Sequence, residues 1–277
     1  MSVLSGLSNL GLGKFENASV FENEEEKKEE AVKAAKPQVS ESDFLLDKTY
    51  VCKVCDNEFK NRTLKANKAR LIGQDSDLRP RYENIDPLKY DVVVCPKCGY
   101  AALTRYFNVI TPPQAKLVKD NISKSFKGLK YPKEIPYENA IERYQLALAN
   151  AIVKRGKASE RAFICLRMAW VVRGRMESYD RMAADYDAVV KECRDDENEL
   201  LTNALDGFMS ARQQESFPMC GMDENTVDYI IAVLAARFGK TDIASRMIGS
   251  ILQSASANNR LKDRARDLKE EIINSKK

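Results

Sequence analysis

Four of the seven cysteines stand in two pairs, Cys52 and Cys55 in "YVCKVCDNEF" and Cys95 and Cys98 in "VVVCPKCGYAAL". A Cys-x-x-Cys turn aims two sulfurs at one metal ion while amides of the turn donate to the sulfurs, and two such turns complete a tetrahedron. One pair would be weak evidence of a site; two pairs, each entered by a β-rich run ("TYVC", "DVVVC"), point to a closed metal centre. Pro96 stiffens the second turn, and Gly99 permits the positive φ that such turns use. Asp56 and Asn57 occupy the matching place in the first turn, and these residue types tolerate that region better than most.

The chain contains no histidine. Imidazole is therefore excluded as a ligand and as a general base, and Ser-His and Cys-His catalysis with it. Zinc suits a four-thiolate site that shows no other sign of electron transfer. Iron is the rival, because rubredoxin-like sites use similar turns. A redox dithiol would need a βαβ setting, which this region lacks. Four protein ligands close the coordination sphere, so the expected role of Zn²⁺ is structural and not catalytic.

The other chemistry-bearing residues are less telling. Cys165 and Cys193 fall on apolar helical faces, where buried structural thiols are the common outcome, and Cys220 lies in a break beside Gly221; a second metal cluster of these three is not expected. Asp75, Asp77, Arg79 and Arg81 crowd into "GQDSDLRPR". Ion pairing within the loop accounts for them, and a small polar ligand-binding loop against the metal module is the sharper alternative. "FGKT" at 238–241 imitates the end of a phosphate loop, but Leu234 stands where that loop needs glycine and a helix precedes it.

The elements that must position the cysteines are short. Runs such as "TYVC", "KARLI" and "YDVVVC", broken by Asp, Asn and Gly, predict strands and turns from residue 44 to 110. Residues 73–89 are polar and turn-rich, which predicts a long loop. Thr111 and Pro112 form an N-cap and first-turn pair for a helix with Leu117, Ile122 and Phe126 on one face. After a linker at 128–136 the period is helical. Ile141, Tyr144, Leu148 and Ile152 mark one face, followed by Phe163, Leu166 and Trp170, by Met182, Tyr186, Val189 and Cys193, and by Leu201, Leu205 and Phe208. Asp223 is placed to cap a further helix. A weak internal repeat aligns Gly156 with Gly239, Ala149 with Ala232, Ala162 with Ala244 and Leu166 with Ile248, the pattern of closely packed, tetratricopeptide-like helix hairpins.

The expected fold is thus α+β, mostly α: a small β-rich, zinc-ribbon-like module followed by a C-terminal stack of antiparallel helices. Its divisions are a disordered acidic leader at 1–43, the metal module at 44–110, a helix and linker at 111–136, and a helical-hairpin domain at 137–277. Charge follows the divisions. Residues 44–135 carry 18 Lys/Arg against 10 Asp/Glu, the leader 5 against 9, and the helical domain 22 against 22. In the leader, Val3, Leu7 and Leu10 fall at helical spacing, but Gly6, Gly11 and Gly13 weaken that helix. No run of 18 apolar residues occurs, and the start lacks a basic region and a long apolar stretch, so a cytoplasmic protein with no membrane span is expected.

The segment "YVCKVCDNEF…RLIGQDSDLRPRYENIDPLKYDVVVCPKCGYAAL" resembles the bacterial domain-of-unknown-function family 2225. That family combines a cysteine-pair segment, an Asp-rich loop and an Asn/Asp-Pro-x-x-Tyr-Asp run ahead of the second pair with a helical tail. The likeness is sharpest over residues 50–107 and looser over 137–275. It implies metal ligation by Cys52, Cys55, Cys95 and Cys98 and implies no activity.

The functional expectation is a non-enzymatic scaffold that binds a protein partner through its helices. The alternative is nucleic-acid binding by the basic metal module, with Lys60, Arg62, Lys65 and Lys68 as phosphate contacts, although no recognised nucleic-acid motif accompanies them.

Overall fold

The computed structural model describes residues 40–274. Residues 1–39, with most of the expected acidic leader and its apolar start, lie outside the described residues. Chain order begins with a 3-10 turn, Glu41–Phe44, capped by the Ser40 side chain. Three antiparallel hairpins follow: β1 (Leu45–Val51) with β2 (Glu58–Leu64), β3 (Leu71–Gln74) with β4 (Pro80–Tyr82), and β5 (Val92–Val94) with β6 (Ala101–Leu103). Seven helices complete the described residues: α1 (Pro112–Val118), α2 (Tyr137–Val153), α3 (Ala158–Ser178), α4 (Tyr186–Gln214), α5 (Glu224–Arg237), α6 (Thr241–Gln253) and α7 (Asn259–Asn274). Helix accounts for 55% of the described residues, which makes the class α+β and mostly α, with the strands near the N-terminus and the helices stacked after them.

Local chemistry explains most of these elements. Thr111 caps α1 with Pro112 in its first turn, and the Thr111 amide donates to Gln114 Oε1 at 3.1 Å. Asp223 caps α5 by accepting from the Thr226 amide at 2.8 Å. In α3 and α4, Phe163, Leu166 and Trp170 and then Leu201, Leu205 and Phe208 are all buried, as their spacing requires. Small residues let these two helices approach: a Cβ built on Gly207 would stand 2.8 Å from the Ala162 Cβ.

Four readings of the sequence need correction. First, residues 73–89 are not one loop. β3 and β4 pair within that stretch, Gly73 opposite Arg81 and Gln74 opposite Pro80, and Leu78 adopts φ 69° in the turn. The ion-paired residues that crowd the turn, Asp75, Asp77 and Arg79, and Arg81 in β4 hid the short strands on either side. Second, the core face of α2 is rotated from the one expected. Ala140, Arg143, Tyr144, Ala147, Asn150 and Ala151 are buried, whereas Ile152 is 56% exposed and Ile141 and Leu148 are half-buried. Polar residues occupy the stripe because the hairpin beneath α2 presents carbonyls that need donors. Third, Ala149 is exposed and Arg155, not Gly156, takes the left-handed conformation (φ 55°), while in the second hairpin Gly239 does so (φ 69°). Ala162, Ala232, Ala244, Leu166 and Ile248 are buried as the repeat requires. Fourth, Met182, 90% exposed, precedes α4.

One apolar cluster runs from the hairpins into the helices, joining Leu88, Val92, Val94 and Leu103 to Tyr144, Phe163, Leu166 and onward to α7. A second, smaller cluster surrounds the paired cysteines.

Candidate metal centre

Each cysteine pair sits at the tip of a hairpin. β1 ends at Val51 and Cys52 begins the turn, which is closed by the Cys52 amide donating to the Asn57 carbonyl at 3.0 Å. β5 ends at Val94, and the Cys95 amide donates to Tyr100 at 2.8 Å. The turns repeat each other: Asp56 donates to the Cys52 carbonyl at 2.9 Å, and Gly99 to the Cys95 carbonyl at 3.0 Å. Asp56 has φ 58° and Gly99 φ 72°, so the aspartate fills the left-handed place that glycine holds in the second turn. A side chain at Gly99 would also collide with the Phe126 ring, 2.6 Å from a built Cβ.

The hairpin tips converge. The four Sγ atoms lie within 4.8 Å of one another, with Cys52–Cys98 and Cys55–Cys95 separations of 3.6 Å. In a tetrahedron of Zn–S bonds near 2.3 Å, sulfurs stand about 3.8 Å apart. The cage therefore fits a tetrahedral thiolate-bound metal. Cys52 and Cys95 are fully buried, Cys98 is nearly so, and Cys55 is at the edge. The Val54 amide points at Cys52 Sγ at 3.4 Å. Crowding divides the thiols among themselves: hydrogen bonding with Cys95 pushes Cys52 up to about 12, contact with Cys52 pushes Cys98 up, and Cys52 and Cys98 together hold Cys95 far down. A divalent cation removes that division, because coordinated thiols lose their protons outright.

The surround is aromatic. Tyr50 meets Phe107 edge-on at 5.5 Å and Phe59 at 6.1 Å, and Tyr100 lies 4.9 Å from Phe107 while its hydroxyl donates to the Phe107 carbonyl at 3.0 Å. Beyond this shell α2 grips the second turn. Asn150 donates to the Gly99 carbonyl at 2.9 Å, Tyr144 to Leu88 at 3.0 Å, and Arg143 to the Val92 carbonyl and, at 2.8 Å, to Asn61. Burial pulls the Arg143 guanidinium down to about 10, since no carboxylate compensates it and its neighbours are Asn61, a carbonyl and the Tyr131 ring. Periodicity could not flag Arg143 or Asn150 as core residues; the only signal was their place in line with Tyr144 and Ala147.

The Asp75–Arg81 stretch lies elsewhere, against α3. The loop pair Arg81–Asp75 exists, at 2.7 Å, but most bonds leave the loop. Asp77, buried, accepts from Arg173 at 2.6 Å and from the Trp170 indole at 2.9 Å. Arg79, also buried, and Arg81 both reach Glu177, at 3.0 and 2.6 Å, and Arg173 continues to Glu197 at 2.7 Å. The loop is thus clasped to the helices by residues that only the fold brings near. Burial opposes ionisation of Asp75, but Arg81, Arg173 and Arg79 outweigh it and hold the carboxyl below its ordinary range. A depressed carboxylate contributes stability above its unfolded pKa and loses it as pH falls through the folded value. The contribution of Asp75 should therefore be complete above about pH 4 and decline as the pH falls below it. Asp75→Asn should lower the unfolding midpoint more at pH 7 than at pH 3; an equal loss at both would refute the electrostatic reading.

Cys165, Cys193 and Cys220 are buried and outside the cage. No helix among the described residues is long and apolar enough to cross a membrane.

A four-cysteine cluster compatible with metal binding, at the tips of two hairpins and backed by a helical stack, defines the class of protein. The chain belongs to the family described as uncharacterised proteins conserved in bacteria, domain-of-unknown-function family 2225, whose model matches residues 45–272. No curated protein and no solved structure matches it.

Proposed function

We propose that the protein is a non-enzymatic cytosolic scaffold in which a structural zinc ion, held by Cys52, Cys55, Cys95 and Cys98, locks the hairpins onto a helical stack that binds a protein partner. The observation that carries the structural role is the burial of the sulfurs, at 0% exposure for Cys52 and Cys95 and 5% for Cys98. It leaves a bound metal no open position for substrate. Four soft thiolates favour zinc over harder divalent ions. The partner surface is the face of α2–α4 where Leu148 and Ile152 stand beside Ala162, Cys165 and Gly207 around a cavity of about 330 Å³. An exposed aliphatic side chain beside small residues on adjacent helices suits an apolar face of a helix or peptide.

The basic alternative on β2 receives less support. Arg62 pairs with Asp47 across the ladder at 3.1 Å, and Lys60 shares its face with Glu58 two residues before it, so that face is not uniformly positive. The scaffold reading is tested by Ile152→Glu. Partner captured by the wild-type chain should be lost, with metal content and helical circular dichroism unchanged. Undiminished capture would place the partner elsewhere and defeat this reading.

A further inference from the structure

The stretch from the last turn of α1 to the start of α2 has an arrangement the scaffold reading does not use. Between residues 116 and 133 stand six lysines, Lys116, Lys119, Lys124, Lys127, Lys130 and Lys133, against a single acid, Asp120. All six are exposed. Asp120 is taken up by Lys124 at 3.0 Å, and the next acid, Glu134, accepts from Ser40 and Ser42 at 2.6–3.0 Å. No carboxylate among the described residues stands within ion-pair distance of Lys127, Lys130 or Lys133.

After a π-helical turn at Lys119–Ser123 the segment is irregular yet pinned. Phe126 packs on Gly99, Gly128 approaches the Pro96 carbonyl, Tyr131 lies under the Arg143 guanidinium at 5.2 Å, and the Ile135 amide donates to Tyr90 at 3.1 Å. Inward anchors thus alternate with outward lysines. Lys97, exposed at the tip of the second cysteine turn, extends the positive strip beside Phe126 and Gly128.

We propose that this strip binds the phosphate backbone of a nucleic-acid duplex without reading sequence. Lys127, Lys130 and Lys133, three residues apart on an irregular stretch, are separated by at most ~10 Å, about the length of three base-pair steps along a duplex axis at ~3.4 Å each. The two aromatic side chains of the strip, Phe126 and Tyr131, are turned inward as anchors, so it offers nothing to enter a lipid interface, where surface-seeking segments place apolar side chains. The proposal goes beyond the scaffold reading and does not rest on it; the strip lies on the α1–α2 connection and the apolar face on α2–α4.

The test uses the metal-loaded full chain with a mixed-sequence DNA duplex and a mixed-sequence RNA duplex as probes. Binding at about 50 mM salt should weaken roughly a hundredfold at about 200 mM, as phosphate contacts by Lys97, Lys127, Lys130 and Lys133 at a log–log slope of ~0.9 each require. Replacing Lys127, Lys130 and Lys133 by Ala should reduce that slope by about 3 and weaken binding at least tenfold at about 50 mM. Removing the same charge at Arg194, Arg246 and Lys269, exposed on α4, α6 and α7, should change affinity less than about twofold, since charges off the contact surface act only through a field that salt screens. Equal weakening by both triple variants would mean attraction by net charge alone and would overturn the proposal. So would absence of duplex binding at the lower salt, or equal affinity for phosphatidylserine vesicles or polyglutamate.

Discussion

Cys95→Ser should strip the protein of stoichiometric metal and unfold the hairpins around the centre. Cys95 is fully buried, its sulfur is 3.6 Å from that of Cys55, and its own turn is the one α2 holds through Asn150 and Gly99. Structural zinc contributes on the order of 10–16 kcal/mol to the folding of small zinc peptides. A whole domain has only about 5–15 kcal/mol in net stability. The metal term is thus as large as the margin, and three remaining thiolates cannot preserve it. Metal content should drop from about one ion per chain to a small fraction of that. Amide hydrogen exchange should accelerate over residues 45–64 and 92–103. Helices α5–α7, which pack on one another, should keep most of their protection. A Cys95→Ser chain with full metal and unchanged exchange would remove Cys95 from the ligand set.

The second large effect falls far from the sulfurs. Asp77→Ala should destabilise the fold by about 1.5–3 kcal/mol, the usual worth of buried hydrogen bonds to a charged group. Asp77 is 4% exposed and is the acceptor for both Arg173 and the Trp170 indole. Deleting it orphans the indole N–H and leaves Arg173 with Asp75 and Glu197. Urea unfolding at neutral pH measures the loss. A change below about 1 kcal/mol, the range of exposed pairs, would show that the clasp does not hold the β3–β4 hairpin to α3.

What could be read from the sequence was whatever depends on near neighbours. The two cysteine turns, the left-handed position of Asp56, the Thr111–Pro112 start and the Asp223 cap all follow from residues within a few positions of each other, and the structure has them. The inner face of α2 did not follow. Ile152 looks like core by spacing, while Arg143 and Asn150 look like surface, and the carbonyls that reverse their roles belong to Val92 and Gly99, 51 residues away for each. The clasp was hidden for the same reason: Asp77 and Arg173 are 96 residues apart, so a cluster that reads as a self-paired loop is in fact bonded to the helical stack. The "KARLI" run announced the start of β3 (Leu71–Gln74), but its pairing with β4 escaped, because Pro80, Arg81 and Tyr82 read as turn and surface while Arg81 bonds to Glu177, 96 residues away.

X-ray absorption at the metal edge of the purified protein tests the four-sulfur centre most directly. The account predicts zinc with four sulfur scatterers near ~2.3 Å and no light-atom scatterer in the first shell. An iron edge, or oxygen or nitrogen ligands beside fewer than four sulfurs, would contradict it.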